Sequence, residues 1–270
     1  MSETAEQRSP EPTILVTDLG DGVVRITLNR PRKRNALNPQ ARQALIDALR
    51  QTSWKAKVLI ISGAGRTFCS GMDLSQITGT GQDAEDDLNR SWVQVQEEIR
   101  RHPAIIIASA EGYALGGGST LICTSDLAVV AKDVQIGTPE IGFGFYPGLA
   151  GPAAQLRLSP KNAAWLVLTG KRINGQTAVD WGMANLAVDA ADLEAETLAL
   201  ARHVAQFDAV ALEWAKKALW QIPMQITDFR NALEFGAYVN AQIHSRTDSH
   251  RQALRNFAAG KPNPGQGRNQ

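Results

Sequence analysis

Ala104-Ile105-Ile106-Ile107-Ala108-Ser109-Ala110-Glu111-Gly112-Tyr113-Ala114-Leu115-Gly116-Gly117-Gly118-Ser119-Thr120 decides how this chain is read. The branched apolar run at its start reads as a fully buried strand of the kind found inside parallel sheets. Three glycines then stand where an apolar segment of helical length begins. Amides at a helix start have no intrahelical acceptor and lie at the positive end of the helix dipole, so they suit a negative oxygen. The stretch continues through Cys123 and Asp126-Leu127-Ala128-Val129-Val130-Ala131 to Gly137-Thr138-Pro139-Glu140, where one carboxylate follows a proline. An anion site near an acid/base is the outline of an active site.

Outward from this stretch the chain alternates strands and helices. Thr13–Val16 and Gly22–Leu28 form a predicted hairpin turning at Gly20-Asp21-Gly22. Asn38 is placed to cap a helix with Pro39 at its first position and Ala41, Leu45, Ala48 and Leu49 on one face. Val58–Ser62 reads as a second buried strand. Trp92, Val95 and Ile99 mark an amphipathic helix that ends at Arg101-His102-Pro103, and the polar stretch from Gln76 to Asp87 reads as a loop. Helices are predicted over Pro152–Leu158 and Pro160–Leu168, and from Asn174 onward the whole chain reads as helical. The expectation is an α/β core with a largely parallel sheet over residues 13–200, a helical region over 201–262, a disordered tail at 1–12 and a polar tail at 263–270.

Among the 270 residues, 43% are hydrophobic and 20% charged, enough apolar material for a sizeable core. A net charge of +1 gives no general attraction to nucleic acid or to a membrane surface. An anion site must therefore be a local cluster, and Arg30-Pro31-Arg32-Lys33-Arg34 is one. No apolar run reaches the roughly 20 residues of a membrane helix, and the N-terminus lacks the apolar centre of a secretory signal. Two cysteines, Cys69 and Cys123, are too few for a disulfide framework, and a cytoplasmic protein is expected.

Gly71-Met72 and Gly116-Gly117-Gly118 each follow a predicted strand. If neighbouring strands bring the two turns together, one amide from each can point at a common spot as an oxyanion hole. One glycine turn alone more often serves chain geometry; two turns and a carboxylate carry the reading. Other chemistries are excluded by spacing. Gly63-Ala64-Gly65 lacks the third glycine of a dinucleotide fingerprint, and no phosphate-cradling P-loop occurs. Ser70 is outside any nucleophile elbow, and His102, His203, His244 and His250 are scattered without metal-ligand spacing, so no metal is expected. The chain after Glu140 is almost uncharged as far as Arg157, an environment that raises a carboxylate pKa and suits acid/base work.

In order along the chain come Asn29-Arg30-Pro31 with Asn35-Ala36-Leu37, Phe68-Cys69-Ser70-Gly71-Met72-Asp73-Leu74 and Gly112-Tyr113-Ala114-Leu115-Gly116-Gly117-Gly118. Asp126, Pro139-Glu140 and Leu168-Thr169-Gly170 with Ala178, Gly182 and Val188 follow. Together they resemble the crotonase (enoyl-CoA hydratase/isomerase) superfamily over residues 14–262. The resemblance implies a spiral of ββα units with a C-terminal helical trimerisation region, assembled as a homotrimer or dimer of trimers. It implies an acyl-CoA thioester substrate and no cofactor beyond the coenzyme A that the substrate brings. The thioester oxygen would be held by the amides of Met72 and Gly117. The CoA adenine and phosphates would meet the loop around Lys33, Arg34 and Ala36 and a C-terminal lysine, Lys261. Ser70, Asp73 and Leu74 are carried over as substrate-binding positions around the first amide.

Two departures from the family pattern bear on the reaction. Hydratases of this family usually carry two glutamates; Glu140 matches the second, and Thr120 stands in place of the first. Threonine is no acid/base near neutral pH, although it can hold a water. Δ3,Δ2-enoyl-CoA isomerases are more similar, because one glutamate suffices to move a proton across an allylic system. Hydration by a water shared between Thr120 and Glu140 is the alternative. The second departure is Tyr146, in a loop where thioester decarboxylases of the family place a tyrosine; ordinary core packing is the competing reading. Dehalogenation needs an aspartate that residues 141–156 lack, and the charge balance disfavours the RNA-binding branch. Retention of Glu140 argues against a merely acyl-CoA-binding subunit. The segments from Gln76 to Asp87 and from Phe143 to Leu149 are expected to line the acyl pocket.

Overall fold

The computed structural model describes residues 11–73 and 82–266, with the backbone alone over 82–89. Its strands are β1 (Ile14–Asp18), β2 (Val23–Leu28), β3 (Val58–Gly63), β4 (Ile105–Ala110), β5 (Tyr113–Leu115), β6 (Leu127–Ala131), β7 (Gln135–Gly137) and β8 (Leu186–Val188). The helices are α1 (Pro39–Thr52), α2 (Gln82–Arg101), α3 (Gly117–Thr124), α4 (Gly151–Arg157), α5 (Pro160–Thr169), α6 (Gly175–Asp180), α7 (Leu193–Ala205), α8 (Ala209–Gln225), α9 (Phe229–Arg246) and α10 (Ser249–Ala258).

A six-stranded sheet runs in the order β1-β2-β3-β4-β6-β8. It is antiparallel only between β1 and β2, the hairpin read from Gly20-Asp21-Gly22. Every residue of β4 is buried, which is why its sequence runs Ile-Ile-Ile without polar alternation. Helix α7 packs on β2, β3, β4 and β6, while α1 lies against β1 and β2 and α3 against β4. Asn38 caps α1 as its position predicts, its side chain accepting the Ala41 amide at 2.9 Å.

Two expectations about elements fail. The loop read from Gln76 to Asp87 gives way to α2 from Gln82; residues 76–81 lie outside the described residues. The sequence from Gln82 to Asp87 resembles a loop in composition, and the apolar period emerges only from Trp92 onward. Beyond Asn174 the chain is not all helix, because β8 returns to the sheet and pairs parallel with β6 from Val129↔Leu186 to Ala131↔Val188. Three half-exposed residues are too few to show a strand period. Residue 200 falls inside α7, so the helix at the expected end of the core belongs to the layer that covers the sheet.

Helices α8 and α9 pack on one another, joined by Trp214 and Tyr238 with ring centroids 5.9 Å apart, and α8 also contacts β4. Their outer faces stay open: Leu219 is 76% and Phe229 78% exposed. Among the described residues, no helix is long and apolar enough to cross a membrane.

Candidate active site

The site is assembled by a second set of strand pairings, apart from the main sheet. β5 pairs parallel with β7, Tyr113↔Gln135 through Leu115↔Gly137, so the glycine triplet after β5 comes level with Thr138–Glu140 after β7. On the other side of β5, Cys69 bridges Ala114, with Cys69 N to Tyr113 O at 2.8 Å and Leu115 N to Cys69 O at 2.9 Å. Three segments far apart in sequence thus turn their ends toward one place.

Pairing also fixes which amides are free. Leu37 bridges Met72: Leu37 N donates to Gly71 O at 2.8 Å and Asp73 N to Leu37 O at 3.2 Å. In such a bridge the groups of the middle residue face the opposite way, so the Met72 N–H points away from Leu37. The Gly117 amide opens α3 and has no acceptor within the helix. The two turns touch. A Cβ on Gly71, whose φ is +95°, would stand 2.9 Å from Leu115 O and 3.5 Å from Gly117 N. Gly116 has φ +49°, and a Cβ there would meet Glu140 Oε1 at 2.7 Å. Any larger residue at either position would strain the backbone and fill the space between amides and carboxylate.

Glu140 sits on a 3-10 turn, Pro139–Phe143, pinned from behind where the Thr138 hydroxyl donates to Leu166 O at 2.9 Å. Burial pushes its carboxyl above the usual range, opposed in part by a hydrogen bond to its own backbone. Oε2 is buried without a hydrogen-bond partner among the described residues. A desolvated carboxylate with one unpartnered oxygen, beside a helix-start amide and a turn amide, can take up and return a proton next to a developing oxyanion.

Thr120 is fully buried on α3, and its hydroxyl lies 3.2 Å from Gly116 O and 3.3 Å from Leu149 O. Its single proton is therefore spent on backbone carbonyls. Leu149 O also accepts the Trp92 indole N–H at 3.3 Å, and Trp92 would touch a Cβ on Gly117 at 3.4 Å. Trp92, read from sequence only as a core residue of α2, forms the wall behind the Gly117 amide.

The remaining site residues divide. Lys33 and Arg34 are exposed and Ala36 buried, on a loop whose shape is set by Asn35: its side chain accepts Arg30 N at 2.9 Å and donates to Ala64 O and Thr67 O at 2.9 and 2.6 Å. Ser70 joins this loop through its amide, 3.0 Å from Arg34 O. The Asp73 carboxylate is buried and ion-paired with Arg30 at 2.9 Å, so it anchors the loop. Leu74 lies outside the described residues. Lys261 is exposed after α10, and no hydrogen bond or ion pair joins it to the Lys33–Ala36 loop. Tyr146 is 57% exposed, against the reading as core packing, because Tyr146-Pro147-Gly148 turns at the surface; its hydroxyl accepts from Gln155 at 2.7 Å. Arg172 was not foreseen. It and Arg34 each lie 5.3 Å from the Tyr113 ring centroid, and the pair Lys171-Arg172 was its only signal in the sequence.

Among the described residues no group of three His, Cys, Asp or Glu side chains could hold a metal ion. His244 and His250 nevertheless meet, their rings stacked 4.0 Å apart, which their separation in sequence did not suggest.

The chain matches the enoyl-CoA hydratase/isomerase family over residues 18–262. It is 31% identical over 207 residues to the hydroxycinnamoyl-CoA hydratase-lyase of Pseudomonas fluorescens, covering 74% of this chain and 75% of that protein. It is 34% identical over 211 residues to the 2,3-dehydroadipyl-CoA hydratase of Escherichia coli (strain K12), covering 77% and 82%. The crystal structure of an enoyl-CoA hydratase of Mycobacterium smegmatis superposes with a TM-score of 0.88 at 25% identity, over 93% of this chain and 98% of that one. This chain belongs to the crotonase superfamily, in the enoyl-CoA hydratase/isomerase family.

Proposed function

We propose that this family member is a Δ3,Δ2-enoyl-CoA isomerase with Glu140 as its sole acid/base. Glu140 removes a proton from C2 of a 3-enoyl thioester, the amides of Met72 and Gly117 hold the dienolate oxygen, and the same carboxyl returns the proton to C4. The reading rests on one observation: the Thr120 hydroxyl, at the position of a hydratase's first glutamate, is buried and donated to backbone oxygens. The position where a hydratase carries its first glutamate therefore holds no carboxylate. Each amide of such a hole is worth about 3 kcal/mol to a developing oxyanion.

Incubation with 3-enoyl- and 2-enoyl-CoA in deuterated water tests this. The expected result is alkene migration with deuterium exchange from the 3-enoyl substrate. Alcohol formed from the 2-enoyl substrate at hydratase efficiency would overturn it. That outcome is the second reading, favoured by the relatives named as hydratases and hydratase-lyases. Thr120→Val separates the two. Gly116 O and Leu149 O keep other donors, so the variant should lose only about 1 kcal/mol of stability. Isomerisation should stay within threefold of wild type, whereas a water-holding threonine would cost at least tenfold. The contacts of Tyr146 lend decarboxylation no support.

Coenzyme A itself is read as the one carrier, its phosphates meeting Lys33 and Arg34. Assembly as a homotrimer or dimer of trimers is supported by the apolar faces of α8 to α10, where Leu233 is 59%, Leu254 66% and Phe257 72% exposed. Sedimentation should give three or six copies; a monomer at micromolar concentration would defeat the assignment. The buried free thiols of Cys69 and Cys123, each pushed up to about 12 by burial, fit the expected cytoplasmic setting.

A further inference from the structure

A cleft of about 270 Å³ opens between α2, α3, α4 and α8, away from the acid/base site. Thr120 and Trp92, both bound to Leu149 O, stand on the active-site side; Cys123 and Thr124, one turn further along α3, face the cleft. Trp220 is held in its lining by an indole N–H to Asp126 Oδ1 at 3.1 Å. Two guanidiniums share that ring. Arg100 Cζ lies 4.2 Å and Arg157 Cζ 4.8 Å from its centroid.

Neither cation has an ion pair among the described residues. Arg157 gives Nε and Nη2 to Cys123 O at 3.2 and 3.1 Å, with Nη2 also 3.3 Å from Ser125 O, which leaves Nη1 without a described acceptor. Arg100 has no hydrogen bond or ion pair among the described residues. Glu97, a carboxylate in the same lining, is paired with Arg101 at 3.5 Å. Burial, and then the charge of Arg157, lowers the Arg100 pKa. Contact with the same indole ring also restricts both side chains before any ligand arrives, which lowers the entropy cost of binding.

We propose that this cleft binds a small oxyanion, a carboxylate or phosphate group, between Arg100 and Arg157. The planar forks of two arginines match two or more acceptor oxygens bidentately. The group can come from a free anion or from an acidic side chain of a second copy of this chain. The proposal is independent of the acyl-CoA reaction.

Inorganic phosphate and succinate are titrated at ionic strength held constant with chloride, with tryptophan fluorescence and thermal unfolding as readouts. Saturable binding is expected, weakened at least tenfold in Arg100→Met and less in Arg100→Lys. It should survive in a Lys33→Ala/Arg34→Ala variant, and Arg100→Met should keep acyl-CoA turnover. Sedimentation with and without phosphate separates the sources. Binding at constant mass identifies a free anion. Assembly weakened by phosphate and by Arg100→Met identifies a carboxylate of a neighbouring copy. Binding that Arg100→Met leaves intact, binding lost in the Lys33/Arg34 variant, or no Arg100-dependent change in binding or mass overturns the proposal.

Discussion

Glu140→Gln should lower acyl-CoA turnover by about three orders of magnitude, the range for losing a positioned acid/base. The amide occupies the volume of the carboxyl and leaves the pairing of β5 with β7 untouched, so folding and coenzyme A affinity should hold. The loss should therefore fall on kcat rather than KM. Proton abstraction needs the ionised form. Burial raises the pKa of this carboxyl, so the acidic limb of kcat/KM should lie above the ordinary carboxylate range, with the rate falling as pH drops through it. The variant's residual rate should lack that limb. Full turnover by Glu140→Gln on every accepted acyl-CoA would remove Glu140 from the mechanism.

How much of this was legible in advance differs by scale. Ile105 to Ile107 were readable as a buried strand because burial on both faces leaves a continuous apolar run. Asn38-Pro39 announced α1 because caps are local chemistry. Gly71 and Gly116 could be singled out, and their convergence could only be supposed. It depends on the bridges Leu37↔Met72 and Cys69↔Ala114 and on the pairing of β5 with β7, elements of one to three residues with no period of their own. The direction of a hydroxyl is further out of reach. Thr120 as a letter permits a water-holding role, and only the carbonyls of Gly116 and Leu149 show where its proton goes. Asp73 likewise carries no mark in the sequence of its pairing with Arg30, across a loop that Asn35 folds back. Residue type constrains chemistry; long-range pairing decides which of the allowed roles is available.

Asp126 extends that distinction, and its substitution should have the largest effect on stability. It matches a family motif, yet its carboxylate faces the interior rather than the acid/base site. Oδ2 binds Lys216 Nζ at 2.8 Å and accepts Ile106 N at 2.8 Å, while Oδ1 accepts the Trp220 indole at 3.1 Å. Lys216 is 3% exposed and also donates to Ile99 O and Ala104 O, each at 3.0 Å. One ion pair thereby ties α8 to the end of α2 and the start of β4. Burial lowers the Lys216 pKa and Asp126 opposes that, so the ammonium depends on its partner. Asp126→Ala should cost about 3–5 kcal/mol, because it strands a buried charge and an indole donor. At about 2–4 °C per kcal/mol, the melting temperature should fall on the order of 10 °C. Removing both charges should be gentler: Asp126→Asn with Lys216→Met keeps one acceptor oxygen, for either Ile106 N or the Trp220 indole, and strands no buried charge, so it should unfold above Asp126→Ala alone. If Asp126→Ala fails to fold, Asp126→Asn alone still ranks below that double variant. Turnover per folded molecule should stay near wild type throughout. A melting temperature unchanged in Asp126→Ala, or a double variant no more stable than the single, would show that the pair does not hold α8 in place.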